Sequence, residues 1–226
     1  MQALQTQTVM HHFDGGNSLC LCVCAAGQNL DNQYLVAMRR NLILTAWISC
    51  ITALCGIGQT DILDSGGKLT ALQASYDVTH YGLELSIDPE KQWIGGSLTV
   101  TARVVEPMEV LELDLDTVYD ISSVVGEGKA GDLAVERDLG KIHIKLGRKY
   151  QAGEFFTVTV AYSGNPRVAP NPPWAGGFTW DNTPSEAHWI ATSCQGQGAD
   201  LWWPCKDNVS DEPDSMDLRI SVPTGL

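Results

Sequence analysis

Between Thr192 and Asp207 the chain reads TSCQGQGADLWWPCKD, which sets Gln195, Gly196, Gln197 and Gly198 between two cysteines, with Trp202 and Trp203 close behind. A glutamine amide offers a carbonyl oxygen that accepts from a ligand's donor, and glycines carry no side chain to block a backbone's approach. By residue type alone the run suits a ligand-facing loop, and more simply a buried amide satisfying local backbone groups.

No self-sufficient catalytic constellation accompanies it. The chain has no HExxH, no Walker loop and no GxSxG, and Gly196-Gln197-Gly198 lacks the third glycine of a dinucleotide fingerprint. The five histidines, His11, His12, His80, His143 and His188, never fall at ligand spacing on an expected helix and read as structural or surface residues. Cys20, Cys22 and Cys24 are separated by single residues, too tightly for a zinc knuckle. Cys194 and Cys205 read as two buried free thiols, with a pair in an exported protein as the alternative. Asp207, Asp211, Glu212, Asp214 and Asp217 lack the order and turn glycine of a calcium loop, and Pro213 interrupts them, so they read as a solvated turn. Trp174, Trp180, Trp189, Trp202 and Trp203 read as core or interface, or else as a stacking surface for peptide or sugar. No catalytic residue, metal ligand or bound cofactor is therefore expected in this chain.

Composition narrows the partners. The 226 residues, 44% of them hydrophobic, suffice for one large β-domain or two small ones. A formal charge of -13 and only 14 basic residues exclude a phosphate-binding footprint, and hence nucleic acid. The same acidity suits attraction of cationic groups such as a free peptide amine.

The elements that must position Gln195 are strands. Tyr81, Leu83, Leu85 and Ile87 share one face; Tyr76, Val78 and His80 are out of phase with them, which predicts a bulge near Gly82. Asp88-Pro89-Glu90-Lys91 supplies a turn. Leu98 to Val104, Leu111 to Leu115, Ile142 to Leu146 and Phe156 to Tyr162 then alternate in the same way, arguing for antiparallel sheets packed as a sandwich with no helix after Tyr76. Residues 163–173 read as loop, followed by the aromatic WAGGFTW stretch. From Trp189 a strand continues so that residues 189, 191, 193 and 195 share a face, projecting Gln195 beside Ser193. The last strand, Met216 to Val222, is expected to lack its partner.

Ahead of this domain, residues 38–58 run Met-Arg-Arg, an apolar stretch and small residues, the order of a secretory signal and too short for a comfortable membrane span, with a buried or interfacial helix as the alternative and lipidation at Cys55 ranked third because Leu54 precedes it. Residues 1–37 then form an upstream extension, disordered by expectation, and residues 59–75 a linker.

YDVTHYGLELSID, LELDL, PPWAGGFTW and IATSCQGQGADLWWPCKDNVSDEPDSMDLRISVPTGL, taken in order over about residues 76–226, resemble the N-terminal β-domain of the aminopeptidase N family of zinc metallopeptidases, of the exported bacterial type. The resemblance implies an all-β, saddle-shaped sandwich domain that caps the substrate cleft. It also implies that Gln195 helps to hold the free amine of a peptide substrate, with Gly196, Gln197 and Gly198 beside it. Zinc, its HExxH ligands and the general base belong to a following domain in that family, so this chain is expected to be inactive alone and truncated before that domain. The signal-like segment and the resemblance together imply an exported protein, periplasmic or extracellular, with membrane association as a further option. The alternative reading is a secreted, non-catalytic β-sandwich module that binds peptide or sugar through its tryptophans; a degenerate fragment without activity is a third.

Overall fold

The computed structural model describes residues 5–8, 65, 67–128 and 131–224. The signal-like segment 38–58, most of the upstream stretch 1–37 and the start of the 59–75 segment lie outside the described residues. The chain divides into two compact units, residues 1–15 with 61–226, and residues 16–60. Every described residue belongs to the first.

That unit is built of strands: β1 (Gln5–Thr8), β2 (Tyr76–Asp88), β3 (Trp93–Val104), β4 (Met108–Asp114), β5 (Tyr119–Gly126), β6 (Val135–Asp138), β7 (Lys141–Tyr150), β8 (Phe155–Gly164), β9 (Gly177–Asn182), β10 (His188–Ser193) and β11 (Ser215–Val222). Among the described residues the only helical pieces are single 3-10 turns at Gln73–Ser75 and Ala199–Leu201. The all-β class expected from the alternating pattern is the observed one.

A six-stranded sheet runs β1-β11-β2-β3-β8-β5, a three-stranded sheet β4-β7-β6, and β9 with β10 forms a hairpin. Period-two alternation turns Leu83, Leu98, Val100, Val158 and Val160 of the larger sheet and Leu111, Leu113, Ile142 and Ile144 of the smaller one into a single apolar cluster, each at most 1% exposed. Burial of each such side chain contributes about 1.5–3 kcal/mol before entropy is charged against it.

Two details depart from the pattern read in the chain. The bulge falls between Val78 and His80, not near Gly82. One extra residue at Thr79 moves the inward phase from the even positions Tyr76 and Val78 to the odd positions Tyr81, Leu83 and Leu85, all of which are buried, so it must lie before Tyr81. The last strand does have partners: β11 pairs in parallel with β2, Ser215 opposite His80 and Ser221 opposite Ser86, and antiparallel with β1. A parallel neighbour lying far upstream is invisible to a reading that looks for hairpins.

On β4 the face away from the apolar cluster is also covered, and the cover is polar. Glu112 accepts from Thr70 Oγ1 at 2.9 Å and lies 2.9 Å from His143 Nε2 and 3.2 Å from Lys141 Nζ. Asp114 accepts from Lys141 Nζ at 2.5 Å and Gln73 Nε2 at 2.6 Å. Through these contacts the 67–75 stretch is docked on the domain, with Gln73 and Ser75 buried. Burial pushes both carboxyls up; at Glu112 the Thr70, His143 and Lys141 contacts outweigh it and hold the group below its ordinary range, whereas at Asp114 burial prevails and the group is raised.

Candidate functional site

Regular pairing of the hairpin ends at Ser193, opposite Gly177. Residues 194–198 then close a tight turn in which the Gly198 N–H donates to the Cys194 carbonyl at 2.8 Å. Gly196 and Gly198 have φ of 92° and 88°, a region costly for any residue with a Cβ. Gln195 therefore does not extend the inward or outward face of β10; it rides the turn, exposed, and its amide makes no hydrogen bond among the described residues. Gly196 is exposed too, and a Cβ there would meet nothing within 4 Å.

The other two residues of the run face the protein. Gln197 Oε1 accepts from the Gly176 N–H at 2.8 Å, tying the turn to the segment that opens β9. A Cβ on Gly198 would lie 2.1 Å from Asp207 Oδ2, so this glycine makes room for a carboxyl of the same chain. Asp207 in turn accepts from Ala199 N–H at 3.3 Å and Ser65 Oγ at 2.5 Å, and Ser65 N–H donates to the Gly196 carbonyl at 2.8 Å.

Beneath the turn, residues 199–207 are stapled to the core by tyrosines from three strands. Tyr119 OH donates to the Leu201 carbonyl at 2.7 Å and Tyr162 OH to the Trp202 carbonyl at 2.9 Å, while Tyr81 OH accepts from Lys206 N–H at 3.0 Å. Cys205 and Asp114 exchange backbone hydrogen bonds of 2.7 and 3.0 Å, and Asp116 N–H donates to the Asp200 carbonyl at 3.0 Å. A buried tyrosine needs a partner for its hydroxyl, and here each satisfies one backbone group of a segment that has no ladder of its own. Burial pushes these phenols well above their ordinary range, so all three stay neutral.

The acidic residues near the turn are not simply solvated. Asp211 forms a buried ion pair with Lys206, the two side chains 7% and 4% exposed, and the ammonium also donates to the Tyr76 carbonyl at 2.7 Å. Asp116, fully buried, is gripped by Arg167 through two contacts, Nη2 to Oδ1 at 3.0 Å and Nε to Oδ2. Asp200 is 4% exposed; its Oδ1 has no partner, and burial, reinforced by Asp207, Asp114 and Asp116, pushes the carboxyl up to about 8. Cys194 and Cys205 are free thiols, Cys205 buried as the simpler reading expected and Cys194 only half-buried, and burial raises both. Asp207 had been read only as part of a solvated turn and Tyr81 and Tyr162 only as strand residues, while Asp200, Ser65 and Tyr119 were not singled out in the chain. Only the tyrosines left a signal there, a polar tip at inward-facing strand positions.

The tryptophans divide. Trp203 is buried edge-on against Tyr81, Trp180 stacks on Phe178, and Trp174 and Trp189 are 74% and 51% exposed. Trp189 and Trp202 help line a largely apolar groove of 510 Å³ shared with Leu85, Ile87, Ile220 and Val222.

The donor set does not fit zinc: among the described residues no group of three His, Cys, Asp or Glu side chains could hold a metal ion, and the chain has no HExxH. No described helix is long and apolar enough to cross a membrane.

Residues 77–215 match the family described as the Peptidase M1 N-terminal domain. Among solved structures, a mutant two-domain M1 zinc metallopeptidase bound to L-arginine is similar with a TM-score of 0.57 and 26% identity, over 73% of this chain and 36% of that one. A mutant M1 zinc metallopeptidase from Deinococcus radiodurans bound to a Tyr-Ser-Ala substrate gives 0.56 and 25%, over 72% and 36%. Yeast LTA4 hydrolase in complex with bestatin shares the fold, with a TM-score of 0.50 and 22% identity over 66% and 23%. No curated protein sequence matches. The chain spans 36% of the length of the M1 metallopeptidases it is most clearly compared with. With the family match covering residues 77–215 of 226, and the all-β fold agreeing with it, the chain belongs to the M1 peptidase family through its N-terminal domain.

Proposed function

We propose that this domain caps the substrate cleft of a zinc-dependent M1 aminopeptidase and that Gln195 accepts a hydrogen bond from the free amine of the peptide substrate. The observation that carries the reading is Gln195 itself, an exposed amide without a partner among the described residues, mounted on a turn braced from below. An exopeptidase must recognise a chain end, and a fixed acceptor for an ammonium does so because internal peptide bonds lack one. The open space over Gly196 gives a ligand's backbone access, and Gln197 and Gly198 serve the underside of the turn. Relatives with the same fold were crystallised with L-arginine and with a Tyr-Ser-Ala substrate, ligands that carry such an amine. The zinc and the general base come from the catalytic domain. The chain is exported, a proposal supported by Arg39, Arg40 and the apolar run behind them.

The test is Gln195→Ala in the full-length peptidase. Loss of one hydrogen bond to a charged group, about 1.5–3 kcal/mol, lowers kcat/KM roughly ten- to a hundredfold, mostly through KM because the amine keeps its charge throughout the reaction. Gln195→Glu retains the acceptor and is better tolerated. An alanine variant of unchanged efficiency removes Gln195 from the substrate site.

A second reading, a stand-alone module binding peptide or sugar, draws on the exposed rings of Trp174 and Trp189. It is separated by tryptophan fluorescence titration of the chain with peptides and oligosaccharides: saturable quenching without a catalytic domain favours the module.

A further inference from the structure

Gly198 and Asp207 meet beneath the turn that carries Gln195. The carboxyl occupies the space that a side chain at Gly198 would fill, and from there its two oxygens serve two donors, Oδ1 the Ala199 N–H at 3.3 Å and Oδ2 the Ser65 hydroxyl at 2.5 Å. The same serine gives its backbone N–H to the Gly196 carbonyl at 2.8 Å. A closed ring of contacts thus passes from Gly196 through Ser65 and Asp207 to Ala199, enclosing the turn on both flanks of Gly198.

Asp207 is well placed to act as the fixed point of this ring. Its own N–H donates to Asp114 Oδ2 at 3.0 Å, the preceding Lys206 is buried in its ion pair with Asp211, and the following Asn208 donates through Nδ2 to the Gly67 carbonyl at 2.9 Å. Without the ring, a five-residue turn with two glycines has wide conformational freedom, and an exposed amide at its crest would be spread over many positions. An acceptor that must meet an ammonium within hydrogen-bond distance needs that freedom removed beforehand.

We propose that Asp207 is a positioning residue for Gln195 and that Ser65 is the strap that locks the turn, a role that rests on Gln195 receiving the substrate amine. A carboxyl suits the place because it only accepts and has an oxygen for each donor. Asp207→Ala removes both acceptors. Ser65→Ala removes the strap's hydroxyl, and Ser65, half-buried, lies outside the apolar core.

Amide hydrogen exchange, read by NMR on the chain as it stands, tests the ring without catalysis. In Ser65→Ala and Asp207→Ala the Ala199 amide exchanges about tenfold faster than in the parent, and Ser65→Thr, which keeps the hydroxyl, restores protection. In the full-length peptidase the same two variants raise KM about fivefold with kcat little changed, and add little on a Gln195→Ala background because they act through that residue. Unchanged protection of Ala199 in both variants overturns the ring, whatever Gln195 does. Faster exchange with an unmoved KM, where Gln195→Ala does raise KM, overturns the positioning role and leaves the Gln195 reading standing. If Gln195→Ala leaves KM unmoved as well, the substrate reading fails and the positioning role fails with it.

Discussion

Asp200, a buried side chain under the site, makes its own contribution to the domain's response to pH. Its folded carboxyl keeps a proton up to about 8, against 3.8 for the free group. Across that window Asp200 holds its proton in the folded chain and not in the unfolded one, so its contribution to stability falls as pH rises, by at most about 1.4 kcal/mol per unit, and levels off above the folded value. Asp200→Asn cannot ionise. The variant should therefore match the parent in thermal melts at about pH 4 and exceed it at about pH 9; melting curves of the two that fall in parallel over this range would show that Asp200 does not titrate in the folded state as its surroundings require. At the same scale, Gln195 was legible in the chain as a residue type beside glycines, but its bracing was not. Ser65 and Asp207 are 142 positions apart, and nothing in the composition of either neighbourhood announces the other.

Among the elements, the tyrosine staples hold an irregular segment to regular strands. Tyr162→Phe leaves the Trp202 carbonyl without its donor, and Tyr119→Phe does the same to Leu201, while the edge-to-face contact of the two rings at 5.6 Å is kept. Each change should cost about 1–3 kcal/mol, seen as a lower urea midpoint at constant slope. The pair should fall short of additive, because both hydroxyls fix neighbouring residues of one segment. A midpoint unmoved by either change would mean that the segment is held by its other contacts. Strands β3, β4, β7 and β8 were readable in advance, since Leu, Val, Ile and Phe recur there at every second position over a buried face. β5 was not, because a bulge between Ile121 and Ser123 breaks its alternation among serines. β6 was not, because its four residues Val-Glu-Arg-Asp carry no apolar period. β4 misled in a quieter way: Glu112 and Asp114 alternate as solvent-facing residues do, yet the Gln73 and Thr70 side chains and β7 cover them.

At the scale of the whole molecule, no group of three His, Cys, Asp or Glu side chains among the described residues could hold a metal ion. The purified chain should retain no stoichiometric zinc after dialysis and release no fluorophore from aminoacyl substrates; one zinc per chain with chelator-sensitive turnover would contradict this. The parallel pairing of β11 with β2 also sets a timetable for synthesis. His80 and Ser215, which face each other across that pair, are 135 positions apart, so at ordinary translation speeds on the order of ten seconds separates their emergence from the ribosome. During that interval β2 has β3 to pair with on one side only. Its other margin, with Leu83 and Leu85 already committed inward, is a row of open amides and carbonyls on a nascent chain, the kind of surface that recruits chaperones or a neighbouring chain. Within this domain the large sheet is thus completed by β11, which enters between β1 and β2 after the other strands of the sheet have been made.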